Sequence, residues 1–292
     1  MKRDRWIGYL LILPAVFVIF CVFFYPLFTA VDMSLHKFIL TKPGSQPFVG
    51  LKNYWDLIKN PIFSNSLEKT AIWTGVNLFA QLFFGILVAL LLNQNFRGRA
   101  LARAAVLVPW VTPSVVAVLS WRWMYDAQFG IINDLLVKLG LIEKGIAWLG
   151  NTNTAMAAVI VESIWKGTPF VAIMILASLQ TVPKDMYDAA KVDGAGSIAC
   201  FFNVTVPLIM PTLMIAATLT TIYTFNSFNA IWLMTEGGPL RATETLTMLV
   251  YTLAFRDFNF GQASAAGVIT LLVLLVFVIL FGRRYIRSEM NL

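Results

Sequence analysis

Long apolar runs without charged side chains set the pattern of this chain. They extend from Trp6 to Val31, Thr70 to Phe96, Ala104 to Trp121 and Phe258 to Gly282. A membrane-spanning helix needs roughly 20 mostly apolar residues, so each run predicts one span. The run from Gly194 to Thr235 is about twice that length and predicts one span preceded by an interfacial piece. A sixth stretch is interrupted by Glu162 and Lys166. The expected spans are therefore approximately 7–30, 71–94, 104–124, 155–180, 208–234 and 260–283, in one all-α integral membrane domain, 1–292. Pro109 and Pro113 fall inside the third span, which should be kinked or partly unwound. Leu51, Tyr54, Trp55, Leu57 and Ile58 share a helix face, as do Ile131, Ile132, Leu135, Leu136 and Leu139. These predict short amphipathic helices on the membrane surface or capping the bundle.

Composition sharpens this picture. Of 292 residues, 59% are hydrophobic and 13% charged, and the mean hydropathy is +0.76, far from the balance of a soluble enzyme. Cys21 and Cys200 lie far apart, and His36 is the one histidine. That excludes a disulfide scaffold, a thiolate or His-rich metal site, and most His-dependent triads. The net charge of +7 is spread between apolar runs, which fits loops beside anionic lipid headgroups rather than nucleic-acid binding. Lys2, Arg3 and Arg5 precede the first run, but it exceeds the ~7–15 residues of a signal core and reads as an uncleaved anchor. Those three, with Arg97, Arg99, Arg103, Lys184, Lys191, Arg283, Arg284 and Arg287, sit in short loops and tails. The opposing basic residues are diluted in long loops, so both termini are expected in the cytoplasm.

One loop, 181–207, is especially informative. Pro183 and Asp185 can start a short helix through Lys191. Asp193-Gly194 then makes a turn, because glycine takes the left-handed conformation at a helix end. A second amphipathic helix leads to Pro207. Small residues at Ala189, Ala190, Gly194, Ala195 and Gly196 leave a surface that another protein can approach closely.

This stretch resembles the EAA loop of ABC-importer permeases. Asp188-Ala189-Ala190 stands for EAA, and Gly194 and Val204-Thr205-Val206-Pro207 fall in place. The departure is aspartate for glutamate, which keeps the charge on a shorter arm. Other blocks resemble carbohydrate-uptake permeases: Phe48-Val49-Gly50-Leu51-Lys52-Asn53-Tyr54, Leu107-Val108-Pro109 with Trp121, and Gly130 with Asn133. Leu233 to Pro239, with Tyr251 and Phe255, resembles the subunit type related to the larger maltose-permease subunit. The resemblance implies a type I importer fold in a bacterial cytoplasmic membrane and one half of a heterodimeric pore with a second related permease subunit. It also implies two separate ATP-binding subunits, which use ATP and Mg, and an extracytoplasmic substrate-binding protein. Asp188, Ala189, Ala190, Asp193, Gly194, Ala195 and Pro207 would then couple to the ATPase. The chain has no phosphate-binding loop of the form G-x-x-x-x-G-K-[ST] and no nucleophile–base pair, so no cofactor and no catalysis are expected in it.

Polar groups inside a membrane are costly and mark function by default. The fourth span carries Glu162, Ser163, Lys166, Gly167, Thr168 and Phe170. Glu162 and Lys166 are spaced for an ion pair, so two readings stand: they neutralise each other, or Lys166 faces a cavity and suits a hydroxyl-rich or anionic solute. The fifth carries Thr220, Thr221, Tyr223, Thr224, Asn226, Ser227, Asn229 and Trp232, groups suited to hydroxyls and sugar faces or to interhelical hydrogen bonds. Resemblance to the maltose-transport subunit points to Ser163, Lys166, Gly167, Phe170, Thr220, Tyr223 and Thr224; Ser227 completes the expected substrate pathway. Asn77 and Gln81 in the second span are weaker candidates for the pathway, with packing contacts the favoured reading. The alternative of a stand-alone secondary transporter or channel for a small polar solute would call for coupling carboxylates, and Glu162 is the one on offer. A membrane-embedded enzyme would need clustered ionisable groups, which the pattern lacks.

Overall fold

The computed structural model describes residues 2–42, 44 and 46–289, with the side chains of 9–42, 44, 46–280 and 282. The expectations for Lys2, Arg3, Arg5, Arg283, Arg284 and Arg287 therefore lie outside the described side chains. Secondary structure among the described residues is helical, apart from isolated bridges pairing His36 with Phe48 and Ile39 with Asn259.

α1 (Lys2–Ile19), a π turn (Phe20–Phe24) and α2 (Tyr25–Ser34) form an unbroken run of helix. α3 (Lys52–Lys59), α4 (Pro61–Asn93), α5 (Arg99–Val111), α6 (Ser114–Met124) and α7 (Ile131–Lys138) follow. α8 (Ala155–Leu179) leads to α9 (Lys184–Val192), then to α10 (Ser197–Cys200), a π turn (Phe201–Thr205) and α11 (Val206–Phe225). α12 (Asn229–Thr235), α13 (Leu246–Tyr251), a π turn (Thr252–Arg256) and α14 (Phe260–Glu289) complete the chain. The first two π turns each precede a proline at the second residue of the next helix, Pro26 and Pro207. Proline lacks an N–H and its ring crowds the carbonyl four residues back, so a wider preceding turn lets the helix continue.

Five helical stretches are long and apolar enough to cross a membrane: Tyr9–Ser34, Pro61–Asn93, Ala155–Leu179, Ser197–Phe225 and Phe260–Leu280. A sixth forms if α5 and α6 count as one span bent by 92°. The kink or unwinding expected in the third span falls at Pro113. α5 starts at Arg99, tolerates Pro109, and ends because Pro113 forces Thr112 into extended backbone at ψ 127°. The fifth span is not 208–234 with a separate interfacial helix before it. Helix continues through the second π turn from Ser197 and stops at Phe225, where Asn226, Ser227 and Phe228 break it before α12.

By contacts the chain divides into two compact units: the chain up to Ser64 with Leu249–Leu272, and Asn65–Met248 with the chain from Val273 onward. In the first unit, Asn53 donates to the carbonyls of Ser34 (2.7 Å) and His36 (2.9 Å), and the Gly261 N–H donates to Phe38 O (3.1 Å). A Cβ on Gly261 would collide with the His36 carbonyl, so only glycine permits this approach. α3 buries Asn53 and Leu57 and leaves Leu51, Trp55 and Ile58 exposed. The apolar face expected there is thus split between packing and surface. Tyr9 to Phe28 is exposed throughout.

The second unit holds two apolar cores. One joins Trp73, Val118, Tyr125, Val159, Ile231 and Met248; the other joins Ala89, Leu92, Val171, Ile175, Leu179, Ile209 and Ala216. Buried alanines at helix contacts suit a membrane bundle, where close backbone approach replaces hydrophobic drive. Along α8, Met156 to Ile160 serves the first core and Val171 to Leu179 the second, with Glu162, Ser163, Lys166 and Gly167 between. α4 repeats the order with Trp73, then Asn77 and Gln81, then Ala89 and Leu92. The result is a polar belt between two apolar cores.

Candidate functional site

The polar belt opens into a cavity of about 310 Å³. Its walls come from α4 (Gln81), α6 (Ser114, Val118), α8 (Glu162, Ser163, Lys166, Gly167), the end of α11 (Tyr223, Thr224) and the break that follows (Asn226, Ser227, Phe228). Of the pathway residues expected from sequence, Ser163, Lys166, Gly167, Tyr223, Thr224 and Ser227 line it. Phe170 and Thr220 do not. The Phe170 ring stands edge-on to Tyr223 at 5.9 Å and stacks on Trp110 at 6.3 Å, while Thr220 is buried with its hydroxyl unpartnered. Ser114 is a wall residue that the sequence reading did not place there, and Gln81, the weaker candidate, and Glu162 line the wall as well. The signal for the break was present in the run Asn226-Ser227-Phe228-Asn229, weak helix formers inside apolar sequence.

Close packing sets the walls. A Cβ on Gly167 would collide with the Gln81 amide oxygen, so the missing side chain lets α4 approach α8. Gln81 then donates to Asn77 Oδ1 (3.1 Å) and the Ser163 carbonyl (3.2 Å). Asn77 in turn donates to Trp73 O (2.9 Å), and the Trp73 indole donates to Thr224 O (2.8 Å). Both expected packing residues thus bond within the belt, and Gln81 also faces the cavity.

Neither sequence reading of Lys166 describes what it bonds. No ion pair joins it to Glu162. Its Nζ donates instead to the Thr112 carbonyl at 2.6 Å, across the break between α5 and α6. The reason is local: the carbonyl end of α5 carries partial negative charge, and a cation satisfies it. Lys166 still lines the cavity.

The second candidate region is the 181–207 loop. α9 begins after Pro183, with Asp185 in its first turn and Lys191 in its last. Gly194 adopts φ +82°, and Ala195 N–H to Ala190 O (2.9 Å) with Gly194 N–H to Lys191 O (3.0 Å) closes a Schellman turn. A Cβ at Gly194 would meet nothing within 4 Å. Asp188 and Lys191 pair at 3.2 Å with both side chains exposed. Ala189, Ala190, Asp193 and Ala195 belong to this turn, whereas Pro207 lies in the first turn of α11. The Tyr187 hydroxyl bonds Thr205 Oγ1 at 3.1 Å, tying α9 to the second π turn, a contact the sequence did not suggest. No cluster of three or more His, Cys, Asp or Glu that could hold a metal ion occurs among the described residues.

Comparison with known proteins adds the family. The chain is 36% identical over 290 residues to a probable ABC transporter permease protein of Brucella suis biovar 1 (strain 1330), covering 99% of this chain and 100% of that one. It is 34% identical over 282 residues to the trehalose/maltose transport system permease protein MalF of Thermococcus litoralis, covering 96% and 93%. It is 37% identical over 264 residues to the sulfoquinovosyl glycerol transport system permease protein SmoG of Agrobacterium fabrum, covering 90% and 85%. Its fold matches that of a chain in the crystal structure of a bacterial ABC transporter involved in the import of the acidic polysaccharide alginate. The TM-score is 0.83 at 22% identity, over 98% of this chain and 96% of the other. Residues 81–291 match the family described as binding-protein-dependent transport system inner membrane component, and the chain belongs to that family.

Proposed function

We propose that this chain is the translocating half of a carbohydrate importer. A substrate-binding protein delivers the solute, a second related permease subunit completes the pore, and two separate ATPase subunits drive it. The carrying observation is a polar cavity walled by otherwise apolar helices, a costly arrangement unless something polar passes through it. Relatives named for trehalose/maltose and sulfoquinovosyl glycerol transport support a sugar-like solute. A structure of the alginate transporter in complex with its oligosaccharide-bound periplasmic protein supports delivery from outside. With both termini in the cytoplasm, the 181–207 loop faces the ATPases and its glycine turn docks there. The exposed apolar surface from Tyr9 to Phe28 is left for lipid and the second permease. The chain itself catalyses nothing in this scheme, and ATP and Mg bind to the partner subunits.

Gly194→Val tests the coupling assignment. The added side chain meets open space, so damage within this chain is limited to the strain of a left-handed non-glycine, about 1–2 kcal/mol. Its bulk falls on whatever docks against the turn. The variant should assemble yet lose uptake and binding-protein-stimulated ATP hydrolysis in proteoliposomes. Normal transport by this variant would reduce the loop to a connector.

A further inference from the structure

The bent pair α5 and α6 is divided between the two apolar cores. Ala102 and Val106 of α5 pack against the second, while Val118 and Trp121 of α6 serve the first. The break at Thr112-Pro113 falls between them, at the level of the polar belt, and one ammonium crosses it. Lys166 Nζ donates to the Thr112 carbonyl at 2.6 Å, so α8 holds the end of α5. One turn earlier on α8, Glu162 is buried, and neither of its carboxylate oxygens has a partner among the described residues. Leaving a carboxylate unpaired in a dry site costs free energy. Side chains four apart on a helix are neighbours, and glutamate before lysine is the favourable order for a pair. Lys166 therefore stands between two acceptors: a carbonyl on a neighbouring helix, which it serves, and a carboxylate on its own helix, which it does not.

Building on the reading of this cavity as the solute passage, we infer that Lys166 is a two-position strap across the break. Bonded to Thr112, it fixes the end of α5 against α8 and leaves Glu162 without a counter-ion. When Trp110 and Thr112 swing away from α8, the ammonium turns back onto Glu162 and an ion pair replaces the carbonyl contact. Thr112 and Pro113 are the hinge that absorbs the change, and the packing of Ala102 and Val106 deeper in α5 stays in place. Each position satisfies one acceptor and leaves the other unmet, so the two arrangements lie close in free energy, as a bistable element requires. Lys166 and Ser114 both line the cavity, so the position of the strap and the shape of the cavity change together. Lys166 is in this role a positioning residue: it sets the arrangement of the break, whichever polar solute enters.

The test uses the complete transporter with its binding protein in nanodiscs, with Cys21 and Cys200 replaced by alanine. Spin labels go on Val111→Cys and Val161→Cys, exposed positions next to Thr112 and Glu162. In this otherwise wild-type protein, double electron–electron resonance should resolve two distances whose ratio shifts when ATP and vanadate are added. Glu162→Gln removes the charge from one position of the strap. The ratio should then move about tenfold toward the Thr112-bonded arrangement, the weight of one charge-assisted hydrogen bond. Lys166→Arg, which reaches both acceptors, should keep both distances. In a Lys166→Met background, Glu162→Gln should no longer move the ratio. A single distance under all conditions, a ratio untouched by Glu162→Gln, or an equal shift in the Lys166→Met background would each overturn the inference. If Glu162→Gln does not assemble, Lys166→Arg against Lys166→Met decides, and equal ratios in the two would overturn it. A wild-type complex that takes up none of trehalose, maltose and glucuronate would instead defeat the importer reading beneath it, and this inference with it.

Discussion

Asn133 and Glu162 are both buried polar side chains, 4% and 1% exposed, and they stand in opposite situations. The Asn133 amide donates to the carbonyls of Asp126 (2.9 Å) and Ile146 (3.0 Å). Its oxygen accepts from the Ile146 N–H (3.1 Å) and the Trp148 indole (2.9 Å). Gly130 and Gly145 flank it, and a side chain on either would collide with the carbonyl of Asp126 or Ala127. Every bonding position of Asn133 is used within the chain, whereas neither Glu162 oxygen has a partner among the described residues. Burial alone therefore does not identify the polar groups that build the fold; the difference lies in what already bonds them.

The largest effect on stability should come from Asn133→Ala. It orphans the Trp148 indole and the backbone groups of Ile146, at about 1–3 kcal/mol for each buried group left unpaired. A marked fall in the unfolding temperature and yield of the purified complex should result, while the transporter that does assemble moves solute at the normal rate. A stable Asn133→Ala with impaired uptake would break the comparison. Lys166→Met should cost less, about 1–2 kcal/mol, by exposing the α5 carbonyl end. Lys166→Arg should restore part of the unfolding temperature, and equal losses in both variants would show that the contact with Thr112 contributes little. Smallest of all should be Asp188→Ala, because the exposed pair with Lys191 contributes no more than about 1 kcal/mol. Its unfolding temperature should stay put while uptake is reduced but not abolished. A large stability loss there would mean that charges in water and charges in the belt do not differ as argued.

Much of the fold was legible in the apolar runs, since a membrane forces backbone groups to bond within each helix. The Pro113 break and the Gly194 turn were legible too, because proline and glycine act through their own backbone. Other features depend on where separate helices meet. The π turn that carries helix from Ser197 through Pro207 leaves no mark in an apolar run, so the fifth span was placed too late. The i,i+4 spacing of Glu162 and Lys166 suggested a pair, yet the end of α5 offered Lys166 a better partner. Phe170 and Thr220 have the residue types of a sugar site, but each lies about one helical turn from the lining residues on its helix, Phe170 packed on Tyr223 and Thr220 buried. Gln81 looked like packing because nothing in the sequence announces that Gly167 clears space for it.

That last fit carries a consequence for how the cavity can change over evolutionary time. Position 167 carries only a hydrogen atom where a methyl group would meet the amide end of the Gln81 side chain. A larger residue at 167 would displace that amide from its bonds to Asn77 and Ser163, so a change at either position is felt at the other. The shape of the cavity wall is thus shared between two sites 86 positions apart in sequence.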